Sequence, residues 1–402
     1  MRVAVFTPYL PSPPDTGGKI RSYFLLRALA QRFEVDLYTV FHGKRPNDGD
    51  IEALRAFCRK VILFRVEKRW RTRDRVLRLL NPLPRGVDHF ITADSVAQAR
   101  WHLENEDYDL LIADEMHMTP YAEIAPHLPR VVTMQKVDYA HYKEVAMARP
   151  WGLEKILDLS EAWKLRRYTL AKMNLYQGFL ACSHQDKETI RKEAADLPAL
   201  VVPNGVDLKA FVPSDQIESG EPTLLYIGSM NYYPNIDAVR FFFAKMYEPL
   251  RHEVPGVQVQ IVGHEPPSQI RELSHLPGVD VTGSVPDVRP YYKKATVFIV
   301  PLRLGGGTRL KIVEAMAMDL PVVSTTVGAE GLEIHPGENI LIADDATSFT
   351  ESVLRLLHDT SLRKRLAEGG RRLARNYDWM EITKPWPEWI EQVAREWKQA
   401  SR

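Results

Sequence analysis

Short runs of β-branched and aliphatic residues alternate along the chain with longer stretches whose apolar residues recur every three or four positions. Val3–Phe6, Val35–Val40, Val61–Phe64, Leu110–Ala113, Val131–Met134, Gly178–Cys182 and Leu200–Val202 predict strands, and segments such as Ile20–Gln31 between them predict helices. The pattern then restarts. Thr223–Ile227, Val257–Val262, Val279–Thr282, Val297–Val300, Val322–Thr325 and Ile340–Ala343 predict a second set of strands, separated by helices such as Ile236–Leu250 and Thr347–His358. Strands alternating with helices in this way predict parallel sheets covered by helices on both faces. The polar, turn-rich stretch Pro213–Thr223 reads as a linker. Two doubly wound α/β domains are expected, over residues 1–205 and 206–375. The remaining tail, 376–402, carries Trp379, Trp386, Trp389 and Trp397. Those rings need something to bury against, so a C-terminal helix packing back on the N-terminal domain is expected.

Bulk composition adds mostly exclusions. A chain of 402 residues fits two domains at roughly 100–200 residues each. A formal net charge of +1, with no recognition-helix motif, argues against nucleic acid as a partner. The two cysteines, Cys58 and Cys182, are far apart and in no metal-ligand spacing, which fits a reducing compartment. The apolar start is soon broken by Pro11, Pro13 and Pro14, and no stretch approaches the ~18 apolar residues of a spanning helix. A cytoplasmic chain is expected.

One stretch carries chemistry. After the strand Val297–Val300, Pro301–Leu304 leads into Gly305, Gly306 and Gly307, with Thr308 as helix N-cap and a helix over about Arg309–Met318. Free N–H groups and the helix dipole at such a start favour an anion, and Arg309 and Lys311 add full positive charge. Glu314 lies one turn further on, where a carboxylate accepts hydrogen bonds from vicinal hydroxyls such as those of a ribose. In open α/β sheets ligands bind at the carboxyl ends of strands, which is where this loop falls. A plain structural turn remains the alternative from the residues alone.

Four co-ordered stretches resolve that choice by resemblance. EAMAMDLPVVST from Glu314, VVPNGVDLKAF (Val201–Phe211), YIGSMNYYPNIDAV (Tyr226–Val239) and VDVTGSVPDVRPYYKKATVFIVPL (Val279–Leu302) together resemble segments of glycosyltransferase family 4 (group 1), in order and spacing, the second its inter-domain segment and the others its donor domain. The resemblance implies the GT-B fold, two Rossmann-like domains facing across a cleft. It also implies transfer of a sugar from a nucleoside-diphosphate sugar to an acceptor hydroxyl, with retention, in polysaccharide or glycoconjugate synthesis. No metal and no cofactor beyond the donor substrate is implied; the acidic pair Asp344–Asp345 reads as a solvated loop. On the donor side the expected residues are Gly17, Gly18, Arg303, Gly306, Gly307, Thr308, Arg309, Lys311 and Glu314.

The chain departs from the family pattern at three places. The family's first loop glutamate is Gly306 here. The Arg and Lys that hold the diphosphate after the first donor-domain strand are replaced by Ser229 and Asn235, so Arg303, Arg309 and Lys311 are expected to supply the charge. The histidine that many relatives carry after the fifth N-terminal strand is Gln135, with Asp114, Glu115, His117 and Asp138 as nearby polar groups. Glu115, Gln135, Asp114 and His117 are the catalytic candidates. The first strand leads through a loop to Gly17 and Gly18, followed by Lys19 and Arg21; Arg21 and Asp138 are placed on the acceptor side, beside a saccharide or lipid-linked acceptor.

The segment Lys68–Arg85 is basic and interleaved with Trp70, Val76, Leu77, Leu79 and Leu80. It suits either a solvated helix packed on the N-terminal domain or peripheral contact with the inner face of a membrane, and Arg166 and Arg167 would extend it. Two rival functions keep the fold: a nucleotide-sugar epimerase, and a non-catalytic GT-B subunit of a polysaccharide-assembly complex.

Overall fold

In a computed structural model of the full chain, residues 1–67, 79, 81–194, 196–213, 220–230, 232–305 and 310–400 are described. The chain divides into two compact units: Met1–Pro203 with Ile382–Arg402, and Asn204–Glu381.

The first unit is built on seven strands: β1 (Arg2–Thr7), β2 (Glu34–Phe41), β3 (Lys60–Arg65), β4 (Leu110–Asp114), β5 (Arg130–Thr133), β6 (Gly178–Ala181) and β7 (Ala199–Val201). They form one sheet in the order β3-β2-β1-β4-β5-β6-β7, every pair parallel. Alternate residues of each central strand enter separate cores. Val3 and Val5 of β1 face one core and Ala4 and Phe6 the other, and β4 repeats the alternation with Leu110 and Ile112 against Leu111 and Ala113. That two-sided burial is why these strands read as continuous apolar runs rather than as polar–apolar alternation.

The C-terminal helix Pro385–Ala400 belongs to this unit, where Trp386, Ile390 and Val393 join Leu25 and Leu29 of the helix Gly17–Ala30 in one core. Trp386 is fully buried and stacks on Trp389 with ring centroids 5.7 Å apart. Burial of such a ring is worth on the order of 3 kcal/mol. Trp379 falls in the other unit, its backbone N–H donating to the Val206 carbonyl at 3.1 Å.

The second unit holds six parallel strands: β8 (Thr223–Ile227), β9 (Gln258–Val262), β10 (Val279–Gly283), β11 (Val297–Val300), β12 (Val322–Ser324) and β13 (Leu341–Ile342), in the order β10-β9-β8-β11-β12-β13. The apolar pattern over Ile236–Leu250 resolves into two helices, Tyr233–Lys245 and Tyr247–Glu253, broken at Met246. The polar stretch Pro213–Thr223 is not the boundary between the units. The chain is already bonded into the second unit at Val206, whose N–H donates to the Tyr377 carbonyl at 2.8 Å and which bridges to Asp378. The division between the units falls earlier, between Pro203 and Asn204.

In both sheets the first strand has neighbours reached by crossovers in opposite directions, β1 between β2 and β4 and β8 between β9 and β11. Such a switch point leaves a crevice at the carboxyl ends of the two strands, where ligands of doubly wound sheets bind. Among the described residues no helix is long and apolar enough to cross a membrane.

Candidate functional site

In the first unit the switch point lies at the ends of β1 and β4. The loop after β1 enters the helix Gly17–Ala30, and Gly18 sits so close to its neighbours that a Cβ there would come 2.3 Å from the Tyr9 hydroxyl and 3.0 Å from Gln135 Oε1. Only glycine fits. Gln135 donates through Nε2 to the Tyr9 hydroxyl at 2.6 Å and to the Gly18 carbonyl at 3.4 Å, while its backbone N–H donates to Glu115 Oε1 at 3.1 Å. Gly18, Gln135 and Glu115, widely separated in sequence, therefore meet at one place.

Glu115 has the most unusual backbone here: φ 77 and ψ 152, a region that side-chain-bearing residues rarely adopt. Its N–H donates to the Thr133 carbonyl at 2.9 Å and its carbonyl accepts from Met118 N–H at 3.0 Å, which fixes the turn on both sides. Burial first, then the like charges of Asp138 and Asp114, pushes its carboxyl well above the usual range. His117 stands 3.7 Å from Asp138 through Nε2, against the Phe90 ring; burial lowers its basicity while Asp138 raises it. The ligating atoms of Glu115, His117 and Asp138 lie within 4.8 Å of one another. That donor set would suit a divalent cation, although Lys136, 3.8 Å from Asp138, already supplies positive charge there.

Two expectations for this unit are corrected. Asp114 is buried, with one carboxylate oxygen taking the Ser22 hydroxyl and the other the Thr133 hydroxyl. It ties the helix Gly17–Ala30 to β4 and β5, a positioning role. Arg21 is fully buried as well, donating to the carbonyls of Val202 at 2.8 Å, Pro203 at 3.3 Å and Ala181 at 3.4 Å. It binds the carboxyl ends of β6 and β7 and does not face an acceptor. Lone-residue reasoning could not see that the helix turns Arg21 inward.

In the second unit the switch point lies at the ends of β8 and β11. Gly305, with φ 102, turns the chain after β11. Gly306, Gly307, Thr308 and Arg309 lie outside the described residues; the helix that follows spans Leu310–Ala317. On it, Lys311 points to the end of β8: its ammonium is 3.1 Å from Asn235 Oδ1, 3.3 Å from the Tyr226 hydroxyl and 4.6 Å from the Tyr226 ring centroid. Asn235 in turn donates to the Ser229 carbonyl at 2.8 Å and accepts from Tyr226 at 2.8 Å. The ammonium of Lys311 thus stands beside Asn235, although the two come from different helices. Arg303 instead forms a two-pronged pair with Asp237, at 3.0 and 2.6 Å, over the Phe241 ring.

Glu314 is half-buried one turn after Lys311 and accepts from the Tyr292 hydroxyl at 2.9 Å. Burial pushes its carboxyl up to about 7, against the lowering effect of the Tyr292 hydrogen bond and Lys311. Tyr226 and Tyr292 lie inside the motif stretches without being singled out there, and Tyr9 had no signal in the sequence; nor did His42, which stacks on His89 with ring centroids 4.2 Å apart beside Phe90 at the end of β2. A lone aromatic in a strand or loop reads as core until its hydroxyl or ring is placed.

Residues 16–210 match the family described as Glycosyltransferase Family 4, and residues 221–359 match Glycosyl transferases group 1. The chain belongs to the group 1, family 4 glycosyltransferases of the GT-B fold. It is 28% identical over 211 residues to a phosphatidyl-myo-inositol mannosyltransferase of Mycobacterium tuberculosis, a match covering 47% of this chain and 53% of that one. Its fold is similar to that of sucrose-phosphate synthase from Thermosynechococcus elongatus, with a TM-score of 0.71 at 19% identity over 100% of both chains. An Anabaena protein, Alr3699/HepE, solved in complex with UDP and glucose, superimposes with a TM-score of 0.69 at 14% identity over 97% of this chain and 99% of that one. As a family 4 glycosyltransferase the chain places both groups of candidate residues at strand carboxyl ends, one group in each unit.

Proposed function

We propose that this glycosyltransferase uses a nucleoside-diphosphate sugar as donor and transfers the sugar to an acceptor hydroxyl with retention at the anomeric carbon, in polysaccharide or glycoconjugate synthesis. The observation that carries the reading is the Lys311–Glu314 helix at the end of β11, with an ammonium and a carboxyl held on one side by Tyr226, Asn235 and Tyr292. Glu314 would accept from the ribose hydroxyls, and Lys311, with Arg309 and the backbone N–H groups of Gly306, Gly307 and Thr308, would hold the diphosphate. The UDP and glucose complex of Alr3699/HepE supports a donor of this class.

In the transfer itself the bond from the anomeric carbon to the diphosphate oxygen breaks and a bond to the acceptor oxygen forms on the same face. The acceptor's proton passes to the departing phosphate oxygen, so the enzyme needs no strong base. Stabilising the charge on the leaving diphosphate is the main catalytic demand, and Lys311 meets it. Glu115 and Gln135, fixed to one another and to Gly18, would orient the acceptor, with Gly17, His117 and Asp138 beside them.

The test is a thermal-shift screen of the full chain against UDP, GDP, ADP and TDP and their sugars, repeated with Glu314→Ala. One nucleotide should raise the melting temperature of the wild type by mass action, and the variant should lose that response. Absence of any shift at millimolar nucleotide would sink the donor assignment.

A further inference from the structure

Four rings of the first unit line up past the carboxyl ends of its strands. His42 follows β2, His89 and Phe90 stand at the end of the short helix Arg85–His89, and His117 follows β4. Ring centroids are 4.2 Å apart from His42 to His89, 5.6 Å from His42 to Phe90 and 5.7 Å from Phe90 to His117. The row is therefore continuous, and its inner end is the group His117, Asp138 and Glu115. We propose that this row is a subsite for the acceptor, and that the acceptor is a saccharide of at least two rings. The sugar that carries the reacting hydroxyl would lie at Glu115 and Gln135, and the next pyranose would stack along Phe90 and His42. The assignment rests on the acceptor role proposed above for Glu115 and Gln135.

His42 is exposed, yet its ring is pinned. Nδ1 donates to the Val66 carbonyl, just past β3, at 2.8 Å, and the ring lies nearly parallel to that of His89, at 20°. His89 and Phe90 are half-buried and meet edge to face, with centroids 5.0 Å apart at 76°. At the inner end a Cβ on residue 86 would come 2.3 Å from His117 Nε2, so Gly86 lets the short helix close on that ring. A loop histidine in water is ordinarily loose, and a ligand that fixes it loses side-chain entropy; here the ring is ordered before any ligand arrives.

Rings and polar groups together select the ligand. A pyranose presents a face of C–H bonds, which packs on the electron-rich face of an aromatic ring, while its equatorial hydroxyls point sideways to polar groups. The row offers both. Its inner end carries the carboxyls of Glu115 and Asp138, and exposed Lys44 and Arg45 follow His42 at its outer end. Rings bounded by charges suit a polyhydroxylated ring better than an acyl chain, which gains from aliphatic surface and loses beside ions.

The experiment is a saturation-transfer NMR titration of the full chain with maltose, mannobiose, lactose and cellobiose, and with sorbitol as an acyclic polyol. No nucleotide is present, so the outcome is independent of the donor assignment. At least one disaccharide should bind and sorbitol should not. His42→Ala should weaken that binding about tenfold, while His42→Phe, which keeps a ring, should stay within about threefold of the wild type. Trp101→Ala, which removes an exposed ring on the helix Ala93–Asn105, should change nothing. The His42 variants should melt with the wild type, since the side chain is exposed. The proposal is overturned if none of the disaccharides binds, if sorbitol binds as well as they do, or if His42→Ala binds as the wild type does. It is equally overturned if His42→Phe loses as much as His42→Ala. Glu115→Gln separates the two readings: a disaccharide that binds this variant at full strength but loses affinity with His42→Ala leaves the subsite standing and removes Glu115 from the acceptor.

Discussion

Glu314→Gln tests the donor site through protons as well as ligand. In the free protein the Glu314 carboxyl titrates at about 7, raised from an ordinary 4.5 by burial. A carboxyl raised on folding is better accommodated protonated, so its contribution to stability is fully present below pH 4.5 and is lost as the pH rises through about 7. The full shift corresponds to about 3 kcal/mol, and partial exposure of the side chain screens this to roughly 1–2 kcal/mol. Glutamine carries no charge at any pH, still accepts from Tyr292, and removes that loss. The variant should therefore be more stable than the wild type at pH 8, with a difference that vanishes near pH 5. Nucleotide binding should move the other way. Ribose hydroxyls donate to the ionised carboxylate, so wild-type affinity should rise as the pH passes through about 7, and the variant should lose both that rise and, at pH 8, roughly 10- to 100-fold of affinity. Melting curves at the two pH values and calorimetric titration with nucleotide across the range read both effects. A variant that is no more stable at pH 8 and binds nucleotide with the wild-type pH profile would refute the assignment of Glu314.

Two further substitutions separate charge from strain. Lys311→Met removes the ammonium beside Asn235 and Tyr226 and should weaken nucleoside-diphosphate binding by roughly 10- to 100-fold, while binding of the nucleoside alone changes little; equal losses for both ligands in titration would place the lysine away from the phosphates. Glu115→Gly releases a side chain from a backbone at φ 77 and ψ 152 and should stabilise the protein by about 1–3 kcal/mol while lowering the transfer rate, read by melting and by turnover on the donor that binds. A gain in stability with full activity would remove Glu115 from the acceptor site.

Much of the fold was legible because parallel strands covered on both faces are apolar along their whole length, as Val3–Phe6 and Val297–Val300 show, and because strand and helix alternate. The helix that carries Lys311 and Glu314 after β11 was legible too, and the two stand one helical turn apart on it. What could not be read was direction. Arg21 lies four positions after Gly17 on the same helix, yet it turns into the protein to bind the Val202 carbonyl. Asp114 and Glu115 are adjacent, but one enters the sheet between Ser22 and Thr133 while the other, through a strained backbone, reaches Gln135. Sequence spacing gives the element, and only the packing around it decides which way each of two neighbouring carboxyls turns.

That divergence carries the last step of the argument. A residue after β4 in an ordinary extended conformation would continue the alternation and send its side chain across the sheet from Asp114. Glu115 instead adopts a conformation suited to glycine and is held there by two backbone hydrogen bonds, to Thr133 and from Met118. Glycine would make the same turn without strain, so the fold itself gives no reason for a glutamate. The side chain's place beside Gln135, Asp138 and His117, in a setting that raises its carboxyl well above the usual range, is what the strain secures. In the second unit Lys311, from the helix after β11, brings its ammonium 3.1 Å from Asn235 Oδ1, at the end of β8. At each switch point a charged side chain is thus placed by the packing of a neighbouring element, Glu115 by its turn and Lys311 by its helix.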